Sequence, residues 1–148
     1  MSQLLYKIIN PPISLLLKSR LHGVMSHNTM LVEFVGRKSG NTMRTPVSYH
    51  VSDNHIHGFT SRKGLWWRNL QGGKPVRLLI KGSWMHMKPE VVIDEPGILE
   101  GALLNFLTAV PRDAGHSNVR LDDQGQPDEE DVKAAVKHLA LLRFENIN

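Results

Sequence analysis

The chain has 148 residues, of which 41% are hydrophobic and 22% charged. That is ordinary globular usage and excludes collagen-like, low-complexity and disordered architectures. Cysteine is absent, which excludes disulfides, thiolate nucleophiles and Cys-ligated metal centres, and a reducing, cytoplasmic setting is expected. No apolar run approaches the roughly 20 residues that a membrane-spanning helix needs.

The net charge of +4 conceals a split. Residues 1–93 carry 13 Lys and Arg against 3 Asp and Glu, whereas residues 94–148 carry 5 against 11. Between Phe34 and Pro89 ten cations meet one acid, Asp53. A stretch so short of counter-charges points to an anionic ligand.

The predicted elements follow in chain order. Residues 1–27 form an N-terminal helical segment broken at Asn10-Pro11-Pro12, where a helix interior cannot pass. No secretory leader is visible. The segment is expected to pack on the core, with weak peripheral membrane contact through Lys7, Lys18 and Arg20 as the alternative. Residues 28–93 are strand-rich and form the barrel core. Residues 29–35 read as a strand, followed by a turn at Gly-Arg-Lys-Ser-Gly-Asn. Residues 44–52 alternate, with Thr45, Val47, Tyr49 and Val51 on one face and Arg44, Ser48 and His50 on the other. Asp53-Asn54 is a hairpin turn into residues 56–60. Ser61 caps a short predicted helix from about Lys63 to Leu70, which ends at Gln71-Gly72-Gly73. Residues 74–81 and 83–93 are two further strands joined at Lys81-Gly82. Residues 94–148 supply helices and a closing strand. Residues 96–110 are an amphipathic helix with Ile98, Leu99, Ala102, Leu103, Phe106 and Leu107 at helical spacing. Residues 111–128 are a loop. Four acids from Asp128 to Asp131 open a helix predicted to reach Leu141, and residues 141–147 are a final strand. Strands that follow strands predict a single domain over 1–148, a small mixed sheet with peripheral helices that is more barrel than doubly wound.

Two loops suit an anion. Gly36-Arg37-Lys38-Ser39-Gly40, with Arg44 close behind, offers flexible backbone, three cations and a hydroxyl. Ser61-Arg62-Lys63-Gly64 stands at a predicted helix start, where free N–H groups favour phosphate. Neither is a Walker A loop or a dinucleotide fingerprint. Both leave strand ends and could converge. Between them, Pro46 removes a ladder donor and marks an edge or bulge, which leaves backbone near Pro46 and Val47 open to a flat polar ring. Trp66 and Trp67 follow the second loop and suit an aromatic ligand, although core packing explains at least one of them.

The order Gly36–Gly40, Arg44-Thr45-Pro46-Val47, Ser61-x-Lys63-Gly64 and Trp66-x-x-Asn69-Leu70 resembles the deazaflavin-dependent nitroreductase family over residues 28–93. The resemblance implies an α+β, mainly β fold: an FMN-binding-like split β-barrel with peripheral helices at both ends. It implies coenzyme F-420, a 5-deazaflavin with a phosphate and an oligoglutamate tail, as cofactor, with FMN the alternative. Carried onto this chain, it assigns Lys38, Arg44, Arg62 and Lys63 to the phosphate and tail. Ser61 and Gly64 become backbone donors, Thr45, Pro46 and Val47 the ring lining, and Trp67 or Trp66 the pocket border. The family pattern places a longer spacer before the tryptophan; here Trp66 follows Gly64 after one residue.

The activity so implied is hydride transfer from reduced coenzyme F-420 to a quinone or nitro-type acceptor, in which the cofactor carries the chemistry. Tyr49 is the candidate proton donor, with barrel packing as its structural alternative. The same fold could instead hold a lipid, haem or FMN without turnover. Related barrels often pair, so a homodimer is an expected partner. Nucleic acid ranks last, because the chain lacks a recognised motif and only 6% of residues are aromatic. His55-x-His57 and Met85-His86-Met87 read as strand histidines rather than a metal site, and no HExxH helix accompanies them.

Overall fold

A computed structural model describes residues 28–147. The N-terminal segment, with its expected helix and membrane contact, lies outside the described residues. Nine elements follow: β1 (Thr29–Val35), β2 (Thr42–Ser48), β3 (His50–Ser52), β4 (His55–Ser61), β5 (Val76–Ile80), β6 (Ser83–Val92), α1 (Pro96–Ala109), α2 (Glu129–Ala135) and β7 (Leu139–Asn146).

The strands form one curled sheet in the order β2-β1-β5-β6-β7-β4-β3. Every pairing is antiparallel, so the expected mixed sheet is corrected. The outermost strands, β2 and β3, are consecutive in the chain and separated only by Tyr49. The Tyr49 N–H donates to the Asn28 carbonyl at 2.9 Å as the strand passes from its β1 ladder to its β4 ladder. The alternating stretch expected over 44–52 is therefore two strands. Val51 does not join the buried face: it stands next to the hairpin turn, paired with Ile56, and is 64% exposed.

Alternate residues of the strands fill the barrel interior, including Met30, Val32, Phe34, Val47, Leu78, Met87, Leu142 and Phe144. The curl brings β4 against β2 at Gly58, where a side chain would find Val47 already in place. A second cluster joins Leu99, Leu103, Phe106 and Leu107 of α1 and Val132 of α2 to Val92 and Leu141 of the sheet. Pro96 opens α1 at a position where its missing N–H costs nothing. Ile98, assigned to the apolar stripe, is instead 41% exposed.

Two hairpin turns and one helix start take the geometry that their residues favour. Asp53 and Asn54 both have positive φ, and so do Lys81 and Gly82, as two-residue hairpin turns require. In α2, Asp128 caps the helix by accepting from the Asp131 N–H at 2.9 Å. That helix ends at Ala135, followed by a 3-10 turn over Val136–His138, and β7 begins at Leu139 rather than Leu141. The expected longer helix fails because Ala140, Leu141 and Leu142 are each completely buried between β6 and β4, an environment that outweighs helix propensity.

Candidate anion-binding cleft

The residues singled out from the sequence divide among several places. Gly36–Gly40 forms a tight loop in which the Gly36 N–H donates to Asn41 O and the Gly40 N–H to Gly36 O, both at 2.8 Å. Gly40 has φ 73°, which a glycine adopts without strain. The predicted helix over 63–70 is replaced by two 3-10 turns, Arg62–Gly64 and Trp66–Leu70, divided by Leu65 at φ 59°. Both tryptophans explain the division. Their indole N–H groups need partners when buried, and Trp66 donates to Thr60 Oγ1 while Trp67 donates to Arg62 O, each at 3.0 Å. Ser61 does act as a cap, accepting from the Lys63 N–H at 3.2 Å, but of a three-residue turn rather than of a helix with a dipole.

The first loop meets the second of these turns. The Arg37 N–H donates to Asn69 Oδ1 at 2.8 Å, and the Asn69 amide donates to Trp66 O at 2.8 Å, which pins loop to turn. Between them lies a cleft of about 170 Å³ lined by Gly36, Arg37, Lys38, Ser39, Met43, Leu65, Arg68 and Asn69. Its lining has three cations and no acid. Arg68 also lies over the Trp67 ring, 5.6 Å from its centroid. Lys38 is the one assigned cofactor residue in this cleft. Asn69 stood in the Trp-x-x-Asn-Leu motif without a role, and Arg68 and Leu65 carried no signal beyond their position after the second loop.

Ser61 and Lys63 line a different groove of about 420 Å³, shared with His116, Asp131 and His138. Its one acid, Asp131, is held by Arg120 at 2.8 and 3.2 Å. Hydrogen bonds from that guanidinium and from the Arg120 N–H hold the Asp131 carboxyl down at about 2. Gly64 lines neither hollow. Arg62 is turned to structure: its Nε donates to Leu139 O at 2.8 Å, and one terminal nitrogen donates to Ile93 O at 2.7 Å and Val136 O at 3.1 Å.

The remaining assigned residues lie on the sheet. Arg44 pairs with Glu33 at 2.8 Å, and Arg77 pairs with the same carboxylate at 2.6 Å. Burial alone would raise the Glu33 pKa, but hydrogen bonds from Arg77 and Arg44, and their charges, hold it below the ordinary carboxylate value. Trp84 lies beside both guanidiniums, 4.3 Å from Arg77 and 5.4 Å from Arg44. Thr45 and Val47 are 2% and 6% exposed; Pro46, between them, takes the opposite face. Trp66 and Trp67 belong to the barrel core, at 2% and 5% exposure. Tyr49 is also in the core, at 5%, and burial pushes its phenol pKa up. Among the described residues no group of three or more His, Asp or Glu is placed to hold a metal ion. Nor is any helix among them long and apolar enough to cross a membrane.

No family model matches the sequence, and no curated protein matches it. Solved structures match its fold. One is a protein of unknown function from Agrobacterium tumefaciens, with TM-score 0.59 and 13% identity over 84% of this chain. This chain spans about half of that one, 51% of its length. A pyridoxamine 5'-phosphate oxidase-related, FMN-binding protein from Nostoc punctiforme has TM-score 0.58 and 12% identity, covering 94% of this chain and 80% of its own. The haem storage protein HutZ from Vibrio cholerae has TM-score 0.50 and 12% identity, covering 93% and 89%. The fold is thus a split β-barrel of the kind seen in FMN-binding proteins.

Proposed function

We propose that this protein binds a phosphate-bearing flavin-type cofactor, coenzyme F-420 in first place and FMN in second. Its activity would be the transfer of hydride from the reduced cofactor to a quinone or nitro-type acceptor. One observation carries the reading: an acid-free cleft with Arg37, Lys38 and Arg68 in its lining, on a fold whose solved likenesses include an FMN-binding protein. The donor set fits the group. Guanidinium and ammonium donors suit phosphate and carboxylate oxygens, and with no acid in the lining the positive field stands uncancelled. When bound, the cofactor supplies the hydride chemistry.

The chain's own contribution is to hold the anionic end. Asn69 fixes the Arg37 backbone, so the loop meets its ligand with little rearrangement. Lys38 and Arg68 supply charge from opposite walls. Ser61 and Lys63, in the neighbouring groove, remain the proposed contacts for a long polyanionic tail, which FMN lacks. Two copies of the chain are proposed to pair, as the sequence reading expects.

Titration of the purified protein with F-420 and with FMN, followed by absorbance and fluorescence, tests the proposal. Micromolar binding that weakens with added salt and with Lys38→Ala or Arg68→Ala is the expected result. Absence of binding by both cofactors at micromolar ligand overturns it. The burial of Tyr49 favours a second reading, in which the barrel holds lipid, haem or FMN without turnover. A bound cofactor that reduces no quinone or nitro compound would select that reading.

A further inference from the structure

Leu65 combines two features that work against folding. Its backbone is left-handed, at φ 59° and ψ −12°, and the residue is 43% exposed. The other non-glycine residues at positive φ among those described are Asp53, Asn54, Lys81 and Asn118. Asp and Asn tolerate this region through local hydrogen bonds, and Lys81 belongs to a two-residue hairpin turn. A branched apolar side chain has neither excuse, and strain of this kind concentrates at ligand clamps.

The place of the residue supplies the reason. Leu65 divides the two 3-10 turns, so that Lys63 lines one hollow while Leu65 and Arg68 line the other. Its carbonyl accepts from the Arg68 N–H at 3.1 Å, tying its backbone to a cation of the cleft. With Met43 it supplies the apolar part of a hollow whose charged groups are Arg37, Lys38 and Arg68, and it is the more exposed of the two.

We propose that Leu65 is the specificity-determining lip of this cleft. It packs on the uncharged, ring-bearing part of a ligand whose phosphate meets Arg37, Lys38 and Arg68. The ligand class is then a phosphate ester with an apolar or aromatic body, in preference to free phosphate. This inference rests on the anion-binding reading of the cleft and extends it.

The test compares the full chain with Leu65→Gly and Leu65→Met. Affinity is measured for inorganic phosphate and for FMN or F-420, whichever the unaltered chain binds more tightly, and the melting temperature is measured without ligand. Leu65→Gly is expected to raise the melting temperature by about 2 to 4 °C through relief of backbone strain. It should weaken cofactor binding about tenfold by removing apolar contact, with phosphate binding unchanged. Leu65→Met should keep most of the preference. An unchanged cofactor-to-phosphate ratio in Leu65→Gly overturns the lip and leaves the anion cleft standing. So does a fall in melting temperature, which would make Leu65 a structural residue. A chain that binds neither probe overturns the cleft reading and this inference together.

Discussion

His50 on β3 and His57 on β4 are register partners, and their rings stand perpendicular with centroids 5.6 Å apart. His50 Nε2 and His57 Nδ1 are buried without a hydrogen-bond partner among the described residues. The His50 ring also meets Phe106 of α1 edge-on at 5.2 Å. Burial lowers the His50 pKa. Burial, then the charges of His50, Arg143 and His55, push His57 down to about 4, with Asp53 opposing. Both shifts favour the neutral ring at this seam.

Acid should therefore weaken the fold through these two groups. Both folded-state values lie below the unfolded value of about 6.5, so the unfolded chain binds more protons in acid. The stabilisation is complete above that value and is lost as pH falls from about 6.5 toward the folded value near 4 for His57. After allowance for solvent screening the loss amounts to about 1 to 2 kcal/mol. Urea unfolding at a series of pH values measures the slope, and the double change His50→Leu with His57→Leu should flatten it.

Gly58 tests the curl of the sheet. A Cβ there would stand 2.9 Å from Val47 Cγ1 and 3.0 Å from Ser48 O, and neither a packed valine nor a backbone carbonyl can yield cheaply. Gly58→Ala is expected to cost about 1 to 3 kcal/mol. Chemical denaturation reads the cost directly, and a neutral outcome would mean that β4 and β2 are less closely apposed than described.

Arg62 tests a reassignment. Its guanidinium donates to the carbonyls of Leu139, which opens β7, of Val136, which opens the 3-10 turn before it, and of Ile93, just past the end of β6. Arg62→Ala leaves those acceptors without their donor, and a loss of about 2 to 3 kcal/mol is expected. Lysine, with no planar fork, should not restore it. Were Arg62 a direct anion contact, its removal would change the salt dependence of ligand binding more than the stability.

Glu33 joins two strands through one carboxylate, with Arg44 on β2 and Arg77 on β5 as its partners. Glu33→Gln keeps the shape and removes the charge. A loss of about 1 to 2 kcal/mol is expected at neutral pH, measured by thermal or urea unfolding. The loss should shrink in acid, because the unaltered carboxyl itself protonates as pH falls through its lowered value.

Much of the fold was legible because local signals agreed with tertiary demand. The apolar run at Thr29–Val35 is β1, and Asp53-Asn54 and Lys81-Gly82 turn where they should. Legibility failed where distant partners decide. Leu139 and Ala140 read as helix until β6 and β4 are known to flank them. The tryptophan pair shapes 61–70 through hydrogen bonds and burial that no periodicity announces. Of the residues assigned to a ligand, Lys38 lies in the lining of the candidate cleft because its loop forms one wall of it. Arg44 was assigned to a ligand because the acid that neutralises it, Glu33, lies one residue outside the acid-poor stretch that begins at Phe34. Arg62 looked like a free cation because its acceptors are carbonyls, which every residue has and none advertises.

The place of β7 between β6 and β4 has a consequence for how the sheet is assembled. Its ladder to β4 joins Ile56 to Phe144 and Ser61 to Leu139, and its other ladder joins Met87 to Asn146. A nascent chain that has emerged only as far as α2 holds β5–β6 on one side and β3–β4 on the other, without the strand whose ladders join β6 to β4. Until Asn146 clears the ribosome, β4 and β6 present unpaired edges that invite chaperones or aggregation. Strand β7 is thus the keystone of the sheet, and its docking between β6 and β4 is expected to be the committing event of folding.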